Sequence, residues 1–211
     1  MRVKTEEKRE AILAAASDVF LEAGFEGASM AEIAARIGGS KGTLYGYFSS
    51  KEELFVAVMH EEARKQFEPV FASLNKAVED LEKTLQTFGE KVLEFLCLPS
   101  SIQTRRAVLA ESGRSDIGKR FHELGPKVGM QQLAAFLEKQ MDLQRLKKSD
   151  PMLAAHQLAA LLECETVVPL MLGLEETISK PRIKLAVRLA LTTFFDAYAI
   201  PTGSQKKKKG E

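Results

Sequence analysis

Between Gly38 and Phe55 the chain reads GGSKGTLYGYFSSKEELF, and the groups that could do chemistry gather there. Ser40, Thr43, Tyr45 and Tyr47 offer hydroxyls, Lys41 and Lys51 offer ammonium groups, and four glycines lie among them. Glycine beside lysine suggests a loop that cradles the phosphates of a nucleotide. The order is wrong for one: Gly-x-x-x-x-Gly-Lys is absent, and no strand pattern precedes the stretch. The other reading is a short helix kept slim so that something large can approach. Gly42 and Gly46 would each cost that helix about 1 kcal/mol relative to Ala, so their presence needs a reason. Elsewhere the residues argue against catalysis. His60, His122 and His156 are isolated, and no nucleophile lies at a spacing that pairs it with a base. Cys97 and Cys164 stand far apart in apolar runs, without Cys-x-x-Cys spacing, and read as free buried thiols of a reducing compartment. No metal or cofactor is expected, and an enzyme is disfavoured.

The 211 residues carry 45% hydrophobic and 28% charged side chains, which suits a globular protein with a real core. The net charge of +1 names no partner. The N-terminus has no apolar signal core, and no apolar run reaches the roughly 18 residues of a membrane span. A cytoplasmic location with no membrane partner is expected. The end, GSQKKKKGE, is of low complexity and reads as a disordered, solvated tail over 201–211.

The elements that must position these groups all read as helices. Ile12, Leu13, Ala16, Val19 and Phe20 repeat at helical spacing over about Thr5–Ala23, and Gly24 follows as a stop. Ser29-Met-Ala-Glu32 is a capping box opening a helix to Ile37. Gly38-Gly39 breaks the chain, and Ser40 caps a short helix to Phe48. Ser50-Lys-Glu-Glu53 is a second capping box, opening a helix toward Phe67 with Pro69 as its boundary. Longer helices follow over Val70–Leu98, Thr104–Glu111, Asp116–Leu124 and Pro126–Leu146 (two helices, or one bent at Gly125-Pro126), Pro151–Leu172 and Pro181–Ala199. No strand signal appears. The expected fold is all-α: a helix-turn-helix domain over 1–50, a helical bundle over 51–200 entered through the helix from Lys51, and the tail.

Two short helices joined by a glycine turn, the second polar outside, make a helix-turn-helix. Counting Met30 as the first position, Gly38 falls ninth, and Ala34 sits where the helices cross. Leu44 and Tyr47 point inward with Ile33 and Ile37, leaving Lys41, Gly42, Thr43, Tyr45 and Gly46 outside. Residues 1–60 hold seven Lys/Arg against nine Asp/Glu, yet Ile33–Lys51 holds Arg36, Lys41 and Lys51 with no acid. A local positive face is enough, because phosphate contacts provide most of the salt-sensitive affinity for DNA.

Four spaced blocks then fall in order: Phe20-Leu-Glu-Ala-Gly-Phe25, Ser29-Met-Ala-Glu-Ile-Ala34, Ser40-Lys-Gly-Thr-Leu-Tyr45 and Phe48-Ser-Ser-Lys-Glu-Glu-Leu-Phe55. They closely resemble the N-terminal signature of TetR/AcrR-family transcriptional regulators over about residues 5–60. The resemblance implies a homodimer whose recognition helices enter the major groove of a near-palindromic operator in double-stranded DNA. It implies phosphate contacts at Ser29 and Ser40, base or phosphate contacts at Lys41 and Thr43, a phosphate-contacting hydroxyl at Tyr45, and a phosphate anchor at Lys51. Tyr47 is open between core and backbone contact. Arg36 and Gly42 complete the expected DNA-binding set. Gly39 departs from the small apolar residue usual there, implying a looser turn, and Gly46 departs from a larger polar one.

Residues 104–172 resemble the AefR-like C-terminal domain, on Arg106-Ala-Val-Leu-Ala-Glu-Ser-Gly113, Phe121-His-Glu-Leu-Gly-Pro126 and Asp150-Pro-Met-Leu-Ala-Ala-His-Gln-Leu158. The last helix carries one apolar stripe through Ile183, Val187, Ala190, Phe194 and Tyr198, with Leu185, Leu189 and Phe195 off it. A terminal helix apolar on two faces needs two partners, and a second subunit is one of them. The interface is expected at Leu158, Leu162, Val187, Leu191, Phe194 and Tyr198. A pocket for a small, largely apolar effector is expected among Phe67, Phe71, Phe88, Phe95, Leu109, Phe121, Met130 and Glu163. Glu163 could face a cationic ligand, Arg105 or Arg106, or solvent. The function expected is a dimeric repressor released by that ligand. The alternative is a helical ligand-binding or interaction module without DNA function.

Overall fold

The computed structural model describes residues 5–74 and 79–200. Among them are eleven helices: α1 (Glu6–Gly27), α2 (Met30–Arg36), α3 (Lys41–Tyr47), α4 (Lys51–Leu74), α5 (Leu81–Leu96), α6 (Pro99–Glu111), α7 (Ile117–Leu124), α8 (Pro126–Asp142), α9 (Pro151–Glu163), α10 (Val167–Met171) and α11 (Lys180–Tyr198). No strand occurs among the described residues; one isolated antiparallel bridge joins Leu146 to Ala199. No helix among them is long and apolar enough to cross a membrane.

Local chemistry sets most of the helix starts. Thr5, Ser29, Ser40, Asp80, Asp150 and Ser179 each turn a side-chain oxygen onto a backbone N–H of the first turn, satisfying a donor the helix cannot. Gly24, at φ 71°, bends α1 instead of ending it, so the helix resumes to Gly27. Pro69 lies inside α4 and does not stop it at Phe67. Pro99 opens α6 five residues before the expected start at Thr104. The expected helix to Leu172 divides into α9 and α10 at Cys164–Thr166.

The chain forms two compact units that do not follow the sequence division at residue 50. Of the described residues, the first comprises those up to Lys65 together with Arg106–Pro126, the second those of Gln66–Arg105 and those from Lys127 on. In the first unit, Ile12, Ala16, Val19, Ile33, Leu44 and Leu54 are sealed from solvent, and Val108 of α6 and Ile117 of α7 join them. Phe55 packs edge-on to Phe20 at 5.0 Å between ring centres and tilts against Phe25 at 4.9 Å. In the second unit, α11 packs against α5 and α9. Gly89 permits this closeness: a Cβ there would lie 2.8 Å from Val187 Cγ1 and 3.3 Å from Leu162 Cδ2.

Candidate nucleic-acid interface

Ser29 caps α2, its hydroxyl accepting from the Glu32 amide at 3.2 Å. Ile33 and Ala34 of α2 face inward, Ala34 only 3% exposed where α2 meets α3. The turn closes with Gly38 at φ +62°, a conformation L side chains rarely adopt. Gly38 N–H donates to Ala35 O and Gly39 N–H to Ala34 O, both at 3.0 Å. The looser turn implied at Gly39 is therefore absent. Ser40 caps α3 by accepting from Thr43 N–H at 3.1 Å, and the two hydroxyls lie 3.0 Å apart. Leu44 anchors α3 with no exposed surface.

With Leu44 inside, α3 turns Lys41, Gly42, Tyr45 and Gly46 to solvent. Tyr45 is 49% exposed, a large aromatic left without an intramolecular reason. The Lys41 ammonium meets no hydrogen-bond or ion-pair partner among the described residues. A Cβ at Gly46 would meet nothing within 4 Å, and at Gly42 only Ser40 Oγ at 3.8 Å. The fold does not require glycine at either site.

Three expected contacts are committed elsewhere. Lys51 donates its ammonium to the carbonyls of Phe25 at 2.8 Å and Ala28 at 3.2 Å, reaches Glu26 O at 3.5 Å, and lies 4.4 Å from the Phe25 ring centre. Its side chain caps the C-terminus of α1, where unpaired carbonyls and the helix dipole favour a cation. Arg36 forms a two-bond fork with Glu22 at 2.8 and 2.7 Å. That hydrogen bonding holds the Glu22 carboxyl below its ordinary range and raises the Arg36 guanidinium further. Tyr47 accepts from Thr5 N–H at 3.0 Å and packs its ring partly against the core, tying α3 to the start of α1. Glu22, Thr5 and the α1 carbonyls were missed because they lie 14 to 42 residues from their partners, and no local pattern connects them. Nearby, Glu53 of α4 accepts from Ser49 N–H at 2.8 Å, while Ser50 Oγ accepts from Glu53 N–H at 3.1 Å, as its capping box implies.

The residues expected to line one effector pocket separate. Phe67, Phe71, Phe88 and Phe95 form a chain of ring contacts in the second unit, with centres 4.4 Å apart for Phe67–Phe95, 6.0 Å for Phe67–Phe71 and 5.2 Å for Phe71–Phe88. Met130 packs against the same core. Leu109 and Phe121 belong to the first unit, Leu109 exposed and Phe121 partly buried on that unit's core. Glu163 accepts from Arg105 at 2.8 Å, which leaves the other two readings of this carboxylate unsupported.

The expected dimer residues are a correction. Leu158, Leu162, Val187, Leu191, Phe194 and Tyr198 are all at most 8% exposed within the single chain and form its core. Among the apolar side chains left outside are Leu153 on α9, Leu185 and Leu189 on α11, and Val168, Leu172 and Leu174 around α10. The tail 201–211 lies outside the described residues, as does Val78, taken above as part of a continuous helix. No cluster of His, Cys, Asp and Glu among the described residues could hold a metal ion.

Comparison with known proteins agrees with this geometry. Residues 12–58 match the family of bacterial regulatory proteins of the tetR type. Residues 83–200 match the AefR-like transcriptional repressor C-terminal domain, beyond the 104–172 stretch legible in the sequence. A TetR-family regulator from Mesorhizobium loti superposes with a TM-score of 0.82 at 26% identity, covering 93% of this chain and all of that one. The flavonoid-responsive regulator FrrA superposes at 0.74 with 31% identity over 92% of this chain and 98% of its own. The transcriptional activator FasR of Mycolicibacterium smegmatis is 36% identical over 45% of this chain and 43% of its own length. The repressor AcnR of Corynebacterium diphtheriae is 38% identical over 30% of this chain and 33% of its own length. The chain thus spans half or less of these curated relatives. With an N-terminal helix-turn-helix and a C-terminal helical domain that each match, the chain belongs to the TetR family of transcriptional regulators, whose members are not enzymes.

Proposed function

We propose that this protein is a homodimeric repressor that grips a near-palindromic operator with α3 and releases it when a small, largely apolar ligand enters the second unit. The outer face of α3 carries the reading: a Lys41 ammonium with no partner among the described residues, an unburied Tyr45, and two glycines that the fold itself does not require. Ser29, Ser40 and Thr43 lie at helix starts, where hydroxyls and backbone N–H groups suit phosphate oxygens. Gly42 and Gly46 let the helix axis approach the groove. Such a protein acts on DNA and so works in the cytoplasm.

Association would use the apolar side chains that the single chain leaves outside, Leu153 of α9 with Leu185 and Leu189 of α11. Paired isologously, these give a four-helix contact, and the dimer would hold two recognition helices about one DNA turn, 34–36 Å, apart. The effector would bind along the Phe67–Phe71–Phe88–Phe95 rings. FrrA, named for its response to flavonoids, supports a ligand response in this architecture. A ligand that prefers one dimer geometry lowers operator affinity by its differential binding energy, and by no more.

The test is fluorescence anisotropy with DNA from upstream of the protein's own gene, in a salt series, then repeated with metabolite fractions. Salt-sensitive, sequence-selective binding that a fraction relieves is the expected result. Absence of selective binding to any genomic fragment would leave the ligand-binding or interaction module as the reading. Binding that fractions strengthen would make the protein an activator or a corepressor-dependent regulator.

A further inference from the structure

In the second unit, where α5 leads into α6 and α9 into α10, an ion pair is partly withdrawn from solvent. Arg105 Nη1 donates to Glu163 Oε2 at 2.8 Å, with side chains only 25% and 31% exposed. Beside them, the Cys97 thiol is pushed up chiefly by burial, and the fully enclosed Thr166 donates its hydroxyl to Leu162 O at 2.9 Å. Removing an ion pair from water to this degree is costly unless the pairing is full.

The pairing is not full. A guanidinium has five N–H donors arranged as a fork that matches a carboxylate with two parallel bonds. Arg36, on the surface of the same protein, makes both bonds to Glu22. Arg105 makes one bond to Glu163 and no other hydrogen bond among the described residues. Its remaining donors are not sealed in, since no buried side-chain nitrogen or oxygen among those residues lacks a partner. They therefore face solvent. Half of a fork suited to a carboxylate is turned to solvent, and the Glu163 carboxylate holds the other half.

We infer that Arg105 is the anion-recognising residue of the effector site, that the effector is an acid with an apolar body, and that its carboxylate displaces Glu163 from Arg105. This rests on the reading that the second unit takes an effector. The incoming carboxylate takes both bonds of the fork, and Glu163, already a third exposed, turns to water.

The experiment is calorimetric titration of the full chain with decanoate and 4-phenylbutyrate, each against the alcohol of the same skeleton. Tighter binding of at least one acid than of its alcohol is expected. Arg105→Gln should weaken that acid by about tenfold or more, the loss of a charge-assisted hydrogen bond, and leave the alcohol unchanged. Glu163→Gln should tighten the acid several-fold, because the internal competitor loses its charge; a variant that binds more strongly has folded. Equal binding of acid and alcohol, no binding of either acid, or an unchanged acid affinity in Arg105→Gln would each overturn the inference. Operator anisotropy on the same preparations separates the two readings. Selective operator binding with no acid discrimination sinks this inference alone, and acid discrimination without operator binding sinks the DNA-binding reading alone.

Discussion

Lys41 and Lys51 are both lysines at the first position of a helix in one small unit, and the structure gives them opposite duties. Lys51 spends its ammonium on the α1 carbonyls at 2.8 and 3.2 Å and on the face of Phe25 at 4.4 Å. Lys41 spends its own on no partner among the described residues. Lys51→Met keeps the stem and removes the charge. Charge-assisted hydrogen bonds contribute about 1.5–3 kcal/mol, and the partial exposure of this site argues for the lower part of that range. A loss of about 2 kcal/mol corresponds to about 4–8 °C in Tm for a chain of this size. Lys41→Ala should leave Tm unchanged. On DNA the order reverses. Each phosphate contact contributes about 0.9 to the slope of log affinity against log salt, so losing one flattens a fourfold salt step by about threefold in affinity. Lys41→Ala should show that flattening, and Lys51→Met, measured below its melting range, should not. The assays are urea or thermal unfolding by circular dichroism and operator anisotropy from 50 to 200 mM salt. If Lys51→Met flattened the salt dependence while melting normally, its ammonium would have to leave α1 for a phosphate on binding, and the capping role assigned to it would be wrong.

The remaining predictions concern packing, association and thiol chemistry. Gly89→Ala would set a Cβ 2.8 Å from Val187 Cγ1, so an overpacking cost of about 1–3 kcal/mol should exceed the helix-propensity gain of about 1 kcal/mol. Combined with Val187→Ala, the loss should fall short of the sum of the single losses in a double-mutant cycle read by urea unfolding. Leu189→Asp, on a half-exposed residue, should leave the helical content intact and shift sedimentation toward the monomer, whereas Leu191→Asp, at a residue 2% exposed, should prevent folding. Burial pushes the Cys97 thiol up, so at mildly alkaline pH it carries less thiolate than an ordinary cysteine. Iodoacetamide followed by peptide mapping should label exposed Cys164 first, with the difference vanishing in denaturant.

The helix-turn-helix was legible because each of its signals acts within a few residues. A capping serine reaches the amide three residues on, as Ser29 does to Glu32 and Ser40 to Thr43. A glycine supplies the positive φ of the turn at Gly38. Spacing along a helix separates Leu44 from Lys41, Tyr45 and Gly46. These are properties of short peptides, and the sequence alone determined them, together with the all-helical class. What it could not determine is where a long side chain ends. Arg36, Lys51 and Tyr47 each reach partners 14, 23–26 and 42 residues away, and only the packing of α1 against α2, α3 and α4 decides that these groups are occupied. The same limit governs α11. Periodicity established that this helix has one apolar stripe and further apolar residues off it, but not which of the two sets faces its own core. The tertiary packing placed the stripe inside, where Gly89 lets α5 close on Val187, and left Leu185 and Leu189 outside.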